Sequence, residues 1–180
     1  TSPYLLIQRG WIRTVPACST NVDKAPMERN RMTESERLAA IEEIRQLKAK
    51  YWRGVDNADG ALVRSILAED CVLDYMGCCT DPVSGVDHMP MMNMVMTGRD
   101  AWQTGNLEEP RLVTVHQGHQ NEIEITGETT ATGVWSFTDR FFMPPGSPFA
   151  RLVGYGYYHE TYEKAGGKWL LKNTRISRLW

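Results

Sequence analysis

An α+β domain is the architecture this sequence predicts: helices first, then a curved antiparallel sheet wrapping over the long first helix. Apolar residues recur at helical spacing from Leu38 to Val55, whereas from Arg111 to Leu179 long β-prone stretches are separated by glycine and proline turn signals. Composition agrees, since 180 residues at 42% hydrophobic content bury one sizeable core and leave little room for a second.

Taken in order, residues 1–31 hold one apolar run, Tyr4-Leu5-Leu6-Ile7, which is shorter than the roughly 7–15 residues of a secretory core. This stretch is expected to be a disordered N-terminal extension. Met32-Thr33-Glu34 reads as a natural start, so residues 32–180 are expected to form a single domain. Thr33-Glu34-Ser35-Glu36 is a capping box that starts a helix. Leu38, Ile41, Ile44, Leu47, Tyr51, Trp52 and Val55 then form its apolar stripe. Asp59-Gly60 caps a second helix that carries Leu62, Ile66 and Leu67 inward. A first strand follows over 71–75, then an irregular insertion over 76–90, rich in glycine, aspartate and proline, and a short third helix over 98–107. Four long strands complete the chain, over 111–125, 129–142, 150–164 and 168–179. Gly127, Pro144-Pro145-Gly146 and Gly166-Gly167 mark the hairpins between them.

The formal net charge is only -2 and the basic residues are dispersed, which excludes an electrostatic footprint for nucleic acid or an anionic membrane surface. No apolar run reaches the roughly 18 residues of a membrane helix. Cysteines stand at 18, 71, 78 and 79; the adjacent pair cannot make an ordinary bridge without strain, and no zinc-ligand spacing appears. Reduced thiols and a cytoplasmic location are therefore expected, with a small, weakly charged or apolar molecule as partner.

The candidate site consists of ionisable residues scattered along this domain. Tyr51 and Asp56 lie late in the first helix, His116 on one strand and Asp139 on the next. Period two places Trp135, Phe137, Asp139 and Phe141 on one face, so a carboxylate interrupts an aromatic row and needs a partner. A structural hydrogen bond and a catalytic role both fit that placement. His116 and His119 are three apart, which on a regular strand points them to opposite faces and disfavours a shared metal. The methionines at 89, 91, 92, 94 and 96 read either as packing beneath the insertion or as a lid over an apolar ligand. No phosphate loop or nucleophile elbow competes with this set.

Residues 44–56, His116-Gln117-Gly118-His119, and 130–135 together with Asp139 resemble the SnoaL-like branch of the nuclear transport factor 2 superfamily, most closely its bacterial bile-acid 7α-dehydratases. The resemblance runs from about Ala40 to Leu179. It implies a cone-shaped α+β barrel, a deep apolar pocket, a homotrimer and no cofactor. It also places Tyr51, Asp56, Tyr75, His116, Asp139 and Arg178 on the positions the family uses. On that reading His116 is a general base held by Asp56, with Tyr51 and Asp139 assisting catalysis. Tyr75 and Arg178 contact the substrate, Arg178 either anchoring a polar group or bracing Asp139. The reaction implied is elimination of water from a hydroxylated steroid enone of the 7α-hydroxy-3-oxo-4-ene type. The same dyad suits a ketosteroid isomerase, a polyketide dehydratase or a dehydrochlorinase, and the fold also suits a non-catalytic ligand-binding or accessory subunit. The segment 169–180 reads as either an oligomer surface or a barrel-closing strand, and His88 and His159 as structural.

Overall fold

The capping box at Thr33 does begin a helix. The structure is a computed structural model that describes residues 32–103 and 111–180; the expected extension over 1–31 and the latter part of the expected third helix lie outside those residues. Helix α1 spans Glu34–Asp56, with Thr33 Oγ1 accepting the Glu36 N–H at 3.3 Å while Glu36 accepts the Thr33 N–H at 2.7 Å. Its inward face is Ala40, Ile44, Leu47, Lys48, Tyr51 and Gly54. Two details of the expected stripe are corrected: Leu38 is 58% exposed, and Lys48 is fully buried on the apolar face. Helix α2, Gly60–Arg64, is capped by Asp59 Oδ1, which accepts the Leu62 N–H at 2.9 Å.

Strand β1 runs Leu67–Asp74 and so starts earlier than periodicity suggested, because Leu67 pairs with Leu171 across the sheet instead of continuing the helix. The insertion over 76–90 is irregular as expected, and beyond it runs an unforeseen strand β2, Val95–Thr97, paired antiparallel to β1. Where a third helix was expected, only a single 3₁₀ turn at Arg99–Ala101 forms in the described part. Gly98 precedes it, and its N–H donates to Cys71 O at 2.7 Å, which ties this backbone to the sheet instead.

The long strands are β3 (Val113–Ile125), β4 (Thr130–Phe142), β5 (Arg151–Ala165) and β6 (Lys168–Arg178), close to the expected bounds. The sheet order is β2-β1-β6-β5-β4-β3. The pairings from β3 to β6 are antiparallel, but β1 lies parallel to β6, so the sheet is mixed rather than wholly antiparallel. Helix α1 packs on both β3 and β6, which are separated by two intervening strands, so the sheet curves around it. Its edges, β2 and β3, do not pair, leaving an open half-barrel instead of a closed one. Strand β6 is interior to this sheet, which decides how the segment 169–178 is used within the subunit. Trp169 is correspondingly buried, while Trp180 beyond the strand is 66% exposed.

One glycine permits the helix to seat on the sheet. A side chain at Gly118 would overlap the Trp52 ring, so only glycine lets that indole approach β3 so closely.

Candidate active site

Asp56 is the last residue of α1, where the negative end of the helix dipole makes a carboxylate unfavourable unless donors surround it. Strand β3 supplies them. Asp56 Oδ1 lies 2.6 Å from His116 Nδ1 and accepts the Thr114 hydroxyl at 2.9 Å, while Oδ2 accepts the His116 backbone N–H at 2.9 Å. A carboxylate on Nδ1 selects the tautomer that carries its lone pair on Nε2, the arrangement of an oriented general base. The His116 side chain is only 7% exposed.

Directly across the β3–β4 ladder from His116 stands Asp139. It is 1% exposed and is held by a bidentate pair from Arg178, with Nη1 donating at 2.9 Å and Nη2 at 2.8 Å. A buried carboxylate needs such a planar fork to remain charged. Arg178 Nε donates in addition to the Cys78 carbonyl. Of the two roles open to Arg178, bracing Asp139 is the one its contacts display.

The ion pair also depends on a residue the sequence did not single out. Gly154 sits opposite Asp139 on β5, and a Cβ placed there would lie 2.5 Å from Asp139 Oδ1 and equally tight against Arg178. Gly154→Ala should therefore split the pair and cost about 1–3 kcal/mol of overpacking. Urea unfolding checks this, and an unchanged midpoint would contradict it.

The Tyr51 and Tyr75 hydroxyls meet at 2.6 Å. Burial pushes both phenols above their ordinary value, so each keeps its proton; one donates to the other, and the hydroxyl that accepts is left to donate to an oxygen developing negative charge. Tyr51 packs edge-on against Trp102 and Tyr158, each at 6.1 Å between ring centroids, which fixes its direction.

These groups share one cavity of about 600 Å³. Tyr51, Tyr75, His116, Asp139 and Arg178 line it, whereas Asp56 is not among its lining residues and reaches it through His116. Met92, Met94, Met96, Trp102, Phe141 and Ile176 supply apolar wall. The methionine cluster thus divides three ways: those three border the cavity, Met89 is core at 2% exposure, and Met91 is 65% exposed. His119 faces away from the cavity, with Nε2 3.0 Å from Thr138 Oγ1, although β3 shifts register between Gly118 and Asn121. His159 is exposed and pairs with Ser177 Oγ at 2.8 Å.

The model of the SnoaL-like domain matches residues 36–175. The chain belongs to the SnoaL-like domain family. Among solved structures, a hexachlorocyclohexane dehydrochlorinase (LinA, type 2) superposes with TM-score 0.63 at 18% identity, over 82% of this chain and 90% of that one. A candidate scytalone dehydratase from Novosphingobium aromaticivorans gives TM-score 0.63 at 20% identity, over 82% and 89% of the two chains. A candidate aromatic ring hydroxylase from the same organism gives 0.59 at 15% identity, over 79% and 91%. At these identities the likeness establishes the fold alone, and a fold does not fix a chemistry.

Behind its cavity the SnoaL-like domain carries a polar network that sequence reasoning missed. Lys48 Nζ pairs with Glu160 Oε1 at 2.5 Å, with both side chains wholly buried. The ammonium lies 3.5 Å from the Tyr158 ring centroid and 4.4 Å from that of Tyr51. Glu160 also accepts from Thr174 Oγ1 at 3.0 Å and from the Tyr162 hydroxyl, which in turn accepts from Trp135 Nε1 at 2.8 Å. Burial pulls the Lys48 pKa down to about 8 against the attraction of Glu160. A signal existed, because Glu160 sits between Tyr158 and Tyr162 on the inward parity of β5, as Asp139 does on β4. Thr114 was legible in the same way, two residues before His116.

Proposed function

We propose that this SnoaL-like protein is a lyase that eliminates water from a hydroxylated steroid enone of the 7α-hydroxy-3-oxo-4-ene type by acid–base chemistry of its own side chains. The observation that carries the reading is the Asp56–His116 dyad opening onto an apolar cavity of about 600 Å³, a size suited to a compact polycyclic ligand. His116 Nε2 removes the proton at C6, made acidic by the conjugated ketone. The resulting dienolate oxygen is stabilised by the protonated Tyr51–Tyr75 pair. Collapse of the dienolate expels the 7-hydroxyl, to which the histidinium returns the proton. Asp139, steadied by Arg178 across the ladder from His116, offers that cation a carboxylate.

The steroid assignment rests on the resemblance of the quoted motifs to the bile-acid 7α-dehydratases and on the match of site residues in kind. Absorbance after mixing the protein with that enone tests it. The expected result is a red-shifted dienone band; silence from folded protein would reject the steroid and leave a second reading favoured by the likeness to LinA, elimination from a halogenated ring by the same dyad. The resemblance also carries assembly as a homotrimer, and the expectation of reduced thiols carries a cytoplasmic setting. An outer-face patch on β3–β5 supports assembly, with Val113, Val115, Phe142 and Tyr155 all at least 37% exposed. Light scattering tests the stoichiometry.

A further inference from the structure

The proposed elimination leaves two thiols beside the cavity unused. Cys78 and Cys79 are consecutive, yet a tight turn makes their side chains converge instead of alternating. The Cys78 N–H donates to Tyr75 O at 3.1 Å, the Thr80 N–H donates to Gly77 O at 3.0 Å, and Gly77 takes φ 72°. The two Sγ atoms come to 3.8 Å. Cys78 lines the large cavity, while Cys79 lines a second one of about 160 Å³; Asp139 and Arg178 border both. The thiols therefore straddle the partition between the two spaces.

This spacing fits one kind of occupant. A direct disulfide needs the sulfurs at about 2.05 Å, which strains adjacent residues. By contrast, two bonds of about 2.3 Å, typical of thiolate on a soft centre, span the 3.8 Å gap at an angle of about 111°, with neither residue moved. The hydrogen bond with Cys79 and then the Arg178 charge hold the Cys78 thiol below its ordinary value, while the same hydrogen bond and burial push the Cys79 thiol up, so Cys78 is the thiolate that bonds first and Cys79 gives up its proton only as its own bond forms. We propose that Cys78 and Cys79 form a two-thiolate site for a single soft, thiophilic centre of the trivalent organoarsenical class, and that its occupation closes the substrate cavity. The organic substituent enters the apolar space beside Met92 and Met94. With phenylarsine oxide, each sulfur forms a bond to arsenic, the arsenic–oxygen bonds break, and the oxygen leaves as water with both thiol protons. Arsenic remains trivalent.

Intact-protein mass spectrometry of the full chain with one equivalent of phenylarsine oxide tests the site without reference to turnover. The expected result is one phenylarsenic group per chain, removed by 2,3-dimercaptopropanol but not by excess 2-mercaptoethanol. Cys79→Ser should weaken capture by at least tenfold while Cys71→Ser keeps it, with peptide mapping placing arsenic on residues 78–79. Cys79→Ala repeats the test if the serine variant loses its thermal transition. Capture undiminished in the folded Cys79 variants, capture mapping to Cys18 or Cys71, or no capture by the unmodified protein would each overturn the proposal.

Discussion

Replacing His116 with alanine is expected to lower turnover by about 10²- to 10⁴-fold while leaving the fold and ligand binding intact, because general acid–base groups contribute on that scale. The imidazole projects from a strand and makes its principal side-chain bond to Asp56 at the helix end, so little of the core depends on it. Asp56→Asn should be nearly as severe. The carboxamide retains an acceptor, but its NH₂ can equally donate to Nδ1, which selects the tautomer whose Nε2 carries a proton and cannot accept one. His119→Ala is the internal control: its ring lies against Thr138 on the opposite face, so turnover should stay within about a factor of two and stability within about 0.5 kcal/mol. Steady-state kinetics on the three variants, each checked for its thermal transition, measures this. Equal loss at positions 116 and 119 would mean that the strand presents the wrong histidine as base.

The second large effect concerns stability. Lys48→Met should destabilise the fold by about 3–5 kcal/mol, since it leaves the Glu160 carboxylate buried without its cation. Adding Glu160→Gln should recover much of that loss, because the isolated charge is then gone; the single amide oxygen still accepts from one of Thr174 and Tyr162, and the NH₂ faces the other hydroxyl, whose oxygen can accept it. Urea unfolding of the two singles and the double gives the coupling directly. Additive losses would show that the pair is not energetically linked. The same variants report on the site, since the Lys48 ammonium lies over the Tyr51 ring. Loss of that contact should loosen Tyr51 even where the fold survives.

Much of this architecture is written locally in the chain. The capping box fixed where α1 begins, and the glycine and proline turns separated β3 to β6 almost residue for residue. Period-two parity found Asp139 on an aromatic face, and burial at 1% agrees. Pairing between distant segments was another matter. The parallel alignment of β1 with β6 leaves no local trace, and β2 has only three residues, too few for alternation to register. Lys48 was hidden for the same reason. A lone charge on a helix normally means a solvated face, and only Glu160, 112 positions later, makes its burial possible. The union of Asp56 with His116, 60 positions apart, came from the family resemblance and not from periodicity, which knows only each residue's own element.

Hydrogen exchange tests the proposed removal of a proton from carbon by His116, apart from the loss of water. A 3-oxo-4-ene steroid lacking the 7-hydroxyl, incubated with the protein in D₂O, can be deprotonated at C6 but has nothing to expel. Deuterium is expected at C6 with the unmodified protein and none above background with His116→Ala, at concentrations where both bind the steroid. Exchange that persists in the alanine variant, or fails in the unmodified protein while the steroid is bound, would contradict that role for His116.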